Sequence, residues 1–241
     1  MYQVFIKIGL LCLCGFFSVL GLASEPTGTL PDLTTPPPVI NYEEGKHYQR
    51  IKPEILANKS IQDLMSENPH KIQVIEFFSY GCFWCARLRP IMESWQKHKP
   101  ENVVYFRFPL CWNKKFEVLA KAYYIAKSLG KLESLEPDLF ADIQQKKIDL
   151  GEEKLLSAFF VQHGVPEKKF LDLFQSFSIN KDISKATAIA NAYQITESPV
   201  IFVNGPTGSY KISAKLAGSE QAVPLVLNHI ISLESKKLAG K

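Results

Sequence analysis

The chain has 241 residues, 46% of them apolar, with 28 basic against 24 acidic side chains. That apolar share suffices for a sizeable core and excludes a globally disordered chain. The formal charge of +4 is spread along the sequence, and no basic run is interleaved with aromatics, which argues against a nucleic-acid partner.

At the start of the chain, Lys7 precedes an apolar stretch from Ile8 to Leu22, and Gly21-Leu22-Ala23 leads into Ser24-Glu25-Pro26. A basic start, a short apolar run and small residues at its end predict a secretory signal peptide over residues 1–24, cleaved after Ala23 or Ser24. An uncleaved membrane anchor is the competing reading, for which the run is at the short end. Export would remove Cys12 and Cys14 and leave Cys82, Cys85 and Cys111. One pair and one odd thiol do not make the disulfide framework of a small secreted fold. Residues 25–41 hold five prolines and predict an extended linker.

Globular patterning begins near Asn41. Ile72 to Phe78 (IQVIEFF) reads as a strand buried on both faces. Phe83 to His98 reads as a helix interrupted by Pro90, with Leu88, Ile91, Met92 and Trp95 along one face. Val103 to Phe108 is a second strand, and strand–helix–strand in this order predicts a right-handed crossover. Helical periodicity then fills Lys115–Leu129, Leu132–Gln145, Glu152–His163, Glu167–Phe174 and about Asp182–Tyr193. Val200–Val203 and Tyr210–Ile212 predict a hairpin around Asn204-Gly205-Pro206-Thr207-Gly208, and Gln221–Lys236 a closing amphipathic helix. The expected fold class is α/β, with the order βαβ, an all-helical insertion, then ββα. A main domain over 42–110 and 182–236 would flank an insertion over 111–181.

The chemistry centres on Cys82-Phe83-Trp84-Cys85, where a strand hands over to a helix. Two cysteines three apart at a helix start share one face. The first sits among unpaired backbone N–H groups at the positive end of the dipole, which favours a nucleophilic thiolate. The second, a turn further in, is expected to be buried and to resolve mixed disulfides. A zinc half-site lacks a second ligand pair, and an inert disulfide closing so short a loop would stabilise little. Glu76 breaks an apolar run, and a buried carboxyl must be paired or neutral; the alternative is a solvated Glu at a strand end. Phe83 and Trp84 either hold apolar substrate segments or pack against the insertion. Cys111 reads as a buried inert thiol, with a regulatory or intermolecular role as the alternative.

Through YEEGKHY (42 to 48), VIEFFSYGCFWC (74 to 85) and ESPVIFVNG (197 to 205), the chain resembles the DsbA family of thiol:disulfide interchange proteins over about Tyr42 to Leu233. The resemblance implies a thioredoxin fold with a helical insertion and a periplasmic dithiol oxidase that needs no cofactor or metal. Its partners would be reduced or unfolded exported proteins and a DsbB-type, quinone-linked membrane reoxidant, and it would be a monomer or weak dimer. Cys82 maps onto the attacking cysteine, Cys85 onto the resolving one, and Glu76 onto the acidic residue assisting proton transfer. Pro199 maps onto the proline that is cis beside the disulfide, leaving the Ser198 backbone to pair with substrate. Well-known members carry Pro-His between the cysteines. Phe83-Trp84 offers an indole N–H but no cation, implying a less stabilised thiolate and a weaker oxidant. Two rivals stand beside this reading. One is an isomerase or reductase of the same fold; the other is a copper(I)-binding thiol chaperone using Cys82 and Cys85 as soft ligands.

Overall fold

The computed structural model describes residues 41–239; the signal-peptide expectation and nearly all of the linker lie outside the described residues. In chain order the elements are β1 (Gln49–Arg50), α1 (Pro53–Leu56), α2 (Lys59–Ser66), β2 (Ile72–Phe78), α3 (Phe83–His98) and β3 (Val103–Pro109). There follow α4 (Lys114–Ser128), α5 (Leu132–Gln144), α6 (Glu153–Gln162), α7 (Glu167–Phe174) and α8 (Phe177–Ala192). The chain closes with β4 (Val200–Asn204), β5 (Ser209–Ile212), α9 (Ala214–Ala217) and α10 (Val223–Ala239). The order βαβ, helices, ββα is the expected one.

One five-stranded sheet runs β1-β5-β4-β2-β3. β2 pairs parallel with β3, in the register Glu76 opposite Arg107, and antiparallel with β4. All seven β2 residues are buried, as a strand flanked on both edges and covered on both faces requires. Alternation divides them. Ile72 and Val74 pack with Leu88, Met92 and Trp95 of α3 and Val226, Leu227 and Ile230 of α10. Ile75 and Phe77 join the larger core built by α2 and the insertion helices α4 to α8. By the same alternation Glu76 faces the α3 side of the sheet.

The structure departs from the sequence reading at α8 and ahead of β2. Helix α8 starts at Phe177, five residues before the expected Asp182, because the Ser176 hydroxyl caps it by accepting from Ile179 N–H at 3.2 Å. The expected insertion boundary at 181/182 therefore falls inside a continuous helix. The segment between the linker and β2 holds β1, α1 and α2, none of which was expected. α1 is one turn with proline at its start, too short to show periodicity, and β1 is defined only by its pairing with distant β5.

Candidate active site

The segment Ser79 to Cys82 carries the chain from the end of β2 into α3. Gly81 N–H donates to the Ser79 hydroxyl and Cys82 N–H to the Ser79 carbonyl, each at 3.1 Å, closing a turn that delivers Cys82 to the helix cap. Cys82 is itself the N-cap: its extended backbone (φ −96°, ψ 116°) lets Sγ accept from Cys85 N–H at 3.2 Å. Sγ also lies 3.4 Å from the Ser198 carbonyl oxygen, and the Ser198–Pro199 peptide is cis. The structure thus brings Cys82, Cys85 and Ser198, three of the residues singled out from sequence, into one cluster.

The two thiols sit in opposite environments. Cys82 is half-buried, and its thiol is lowered from an ordinary value near 9 to about 6. A hydrogen bond from the Cys85 thiol contributes most; burial opposes it, and Ser198 and the backbone N–H groups of Cys85 and Trp84 add to the lowering. Cys85 is buried, and its thiol is raised well above 9, chiefly by burial and then by its bond to and charge repulsion from Cys82. The charge of Glu76 contributes in the same direction.

Glu76 is fully buried rather than solvated. Its Oε2 accepts from Arg107 Nε at 3.0 Å and from the Tyr105 hydroxyl, both on β3. Oε1 has no hydrogen-bond partner among the described residues. Arg107 continues to Glu136 of α5 at 2.6 Å, and Glu136 to Arg89 of α3 at 2.5 Å. The Tyr80 hydroxyl, two residues before Cys82, donates to Glu136 at 3.2 Å. Glu76 was legible as a carboxylate in an apolar run. Arg107 carries the matching signal, a cation inside VVYFRF, and the parallel register sets the two side by side. Glu136 carries no such signal, since LESLEPDLF reads as an ordinary helix with acidic positions.

Phe83 and Trp84 are 54% and 55% exposed, so neither packs into the insertion core. Their rings meet edge to face at 5.3 Å, and the Arg87 guanidinium, paired with Glu220, lies 5.6 Å from the Trp84 ring centre. Cys111 is half-buried against the insertion core, with its thiol raised mainly by burial. Among the described residues no group of three His, Cys, Asp or Glu side chains is arranged to hold a metal ion, and Met92 is buried in the α3 core. No helix of the described residues is long and apolar enough to cross a membrane.

Comparison with known proteins agrees with this geometry. The family model of the DSBA-like thioredoxin domain matches residues 103–221. The thiol:disulfide interchange protein DsbA of Bordetella parapertussis is 32% identical over 172 residues, covering 71% of this chain and 80% of that protein. DsbA of Pseudomonas aeruginosa PAO1 is 26% identical over 201 residues, covering 83% and 89%. The crystal structure of Pseudomonas aeruginosa DsbA superposes with a TM-score of 0.72 at 26% identity, covering 83% of this chain and 97% of that one.

Proposed function

The chain belongs to the DsbA family of thiol:disulfide interchange proteins, and on that premise we propose that Cys82 and Cys85 are its exchanging pair and that it introduces disulfides into exported proteins. The observation that carries this is the opposed tuning of the two thiols: Cys82 lowered to about 6 at a helix cap, Cys85 buried and raised. Such a pair makes Cys82 the good leaving group and nucleophile at neutral pH and Cys85 the protonated partner.

In the oxidised form a substrate thiolate attacks Cys82 Sγ. The Cys82–Cys85 bond breaks, a mixed disulfide forms on Cys82, and Cys85 leaves as a thiolate that takes up a proton. A second substrate thiolate then attacks the substrate sulfur of the mixed disulfide. The substrate disulfide forms and Cys82 departs as a thiolate. Two electrons pass from the substrate dithiol to the pair; of its two protons, one ends on Cys85 and the other goes to solvent. Glu76 assists the proton transfer to Cys85: it lies on the strand beneath α3, contributes to raising that thiol, and keeps one carboxylate oxygen without a partner among the described residues.

Phe83 and Trp84 supply an exposed apolar lip for unfolded segments. The Ser198 carbonyl, beside Cys82 and next to Pro199, supplies a backbone acceptor for an extended substrate chain. The proposed location is the periplasm, reached by the signal-peptide pattern of residues 1–24, with a DsbB-type membrane partner returning the pair to the disulfide. Reduction or isomerisation is the second reading, favoured by the absence of a cation at the two positions between the cysteines. A Cys85→Ser variant tests the assignment of roles. Incubated with an unfolded protein whose cysteine is held in a mixed disulfide with a small thiol, it should displace that thiol and accumulate a covalent complex through Cys82. No complex, or one through Cys111, would overturn it.

A further inference from the structure

Helix α5 of the insertion reaches the redox pair through buried polar side chains. Glu136 of α5 is buried, and its carboxylate is shared three ways: Oε1 with Arg107 Nη1 of β3 and the Tyr80 hydroxyl, Oε2 with Arg89 Nε of α3. Gln144, two turns further along α5, donates to the Tyr80 carbonyl at 2.7 Å. One helix of the insertion therefore grips the turn before Cys82 and, through Arg89, the helix that carries Cys85. We propose that Glu136 is a positioning residue for disulfide exchange: it fixes the Cys82–Cys85 segment from both sides and sets how much of the charge of Arg107 and Arg89 reaches Glu76 and the thiols. This rests on Cys82 and Cys85 being the exchanging pair.

Glu76, Arg107, Glu136 and Arg89 form a chain of two carboxylates and two guanidiniums, with no net charge. Besides the groups bonded to it, Lys97 of α3, Lys127 of α4, Glu133 of α5 and Lys185 of α8 line the cavity at Arg89 and Arg107. Tyr105 and Arg107 of β3 face Glu76, and Cys85 feels the charge of Glu76 from α3. Tyr80 from the turn faces Glu136, and Tyr123 of α4 feels its charge; Glu93 of α3 reaches Arg89 at 3.9 Å. In a buried setting charges are weakly screened, so a vacancy in the chain is felt by its neighbours. Removing the negative charge of Glu136 leaves an excess cation between Glu76 and α3, which favours thiolate over thiol. Removing the positive charge of Arg89 leaves an excess anion and does the opposite.

The test is a set of three variants, Glu136→Gln, Arg89→Gln and the double Glu136→Gln/Arg89→Gln, in a Cys111→Ser background. For each, the pH midpoint of Cys82 alkylation and the equilibrium constant with glutathione are measured. Glu136→Gln should lower the midpoint by about half a unit, roughly threefold in thiolate, and shift the equilibrium toward the dithiol. Arg89→Gln should move both quantities the other way. The double variant restores neutrality and should return toward the parent. Damage to packing alone gives no reason for the two single variants to shift in opposite directions. Shifts of the same sign in both single variants, a double variant further from the parent than either single one, or midpoints that do not move would overturn the proposal. Should Glu136→Gln fail to fold, the sign of the Arg89→Gln shift decides. A parent protein that does not equilibrate with glutathione would instead overturn the assignment of the pair itself.

Discussion

At the scale of single residues, the chemistry turns on the proton of Cys82. The Cys82 thiol is lowered from an ordinary value near 9 to about 6 because the Cys85 thiol and the first N–H groups of α3 donate to its sulfur. A lowered acid pKa stabilises the folded state fully above the unfolded value and loses that contribution as pH falls through the folded value. Only the reduced protein has this thiol. The melting temperature of the reduced form relative to the oxidised form should therefore fall as pH is taken from about 8 to about 6, between the unfolded and folded values, and level off below about 6. Thermal scans of both forms across that range check it, and a difference that grows on acidification contradicts it. The residue next to Cys85 can be tuned independently. Trp84→His places an imidazole where the structure has an exposed indole. In its charged form it adds electrostatic stabilisation of the thiolate, so the alkylation midpoint should drop below that of the parent. An unchanged or raised midpoint contradicts that stabilisation.

Within the elements, the pairing of β2 with β3 does two things at once: it builds the centre of the sheet and it seats Glu76 against Arg107. Arg107 is the only cation bonded to Glu76 among the described residues, and it also holds Glu136. Replacing it by leucine would leave Glu76 without a cation and Glu136 with Arg89 alone, and breaking a buried pair in this way typically costs about 3–5 kcal/mol. Urea titration of Arg107→Leu should show a loss of that order, with partial recovery in Arg107→Lys; a loss below about 1 kcal/mol contradicts the buried pairing. A second element is held by a carboxylate of a different kind. Glu234 of α10 is buried and accepts from Thr207 N–H at 2.8 Å and from the Thr207 and Tyr210 hydroxyls, each at 2.6 Å, closing the β4–β5 turn onto the helix. A Cβ at Gly205 would run into the Glu234 carboxylate. Gly205→Ala should therefore destabilise by about 1–3 kcal/mol while leaving the Cys82 alkylation midpoint in place, which separates hairpin stability from redox tuning.

For the molecule as a whole, what could be read in advance is what short stretches of sequence encode. The buried strand IQVIEFF, the amphipathic helices and the Cys-X-X-Cys at a strand–helix junction each declare themselves within a dozen residues. The exposure of Phe83 and Trp84 could not be read, because an aromatic pair at a helix start suits either a surface lip or a core. Nor could the partners of Glu76. Arg107 is 31 residues away and Glu136 a further 29, so their meeting depends on how the crossover and the insertion fold back on the sheet. The two-residue β1 was invisible for the same reason, since its only definition is pairing with β5 some 160 residues later. The layout that emerges puts the reactive pair on the α/β half and a buried charge chain beneath it, tied to the insertion by Glu136.

The most direct test of the central claim is the reduction potential of Cys82–Cys85, measured by equilibration with glutathione in the Cys111→Ser protein. A disulfide donor with a stabilised Cys82 thiolate should lie above roughly −200 mV, toward the strongly oxidising end near about −120 mV. A value of about −230 mV or below would make the pair a better acceptor of oxidation than a donor of disulfides, and would contradict the assignment.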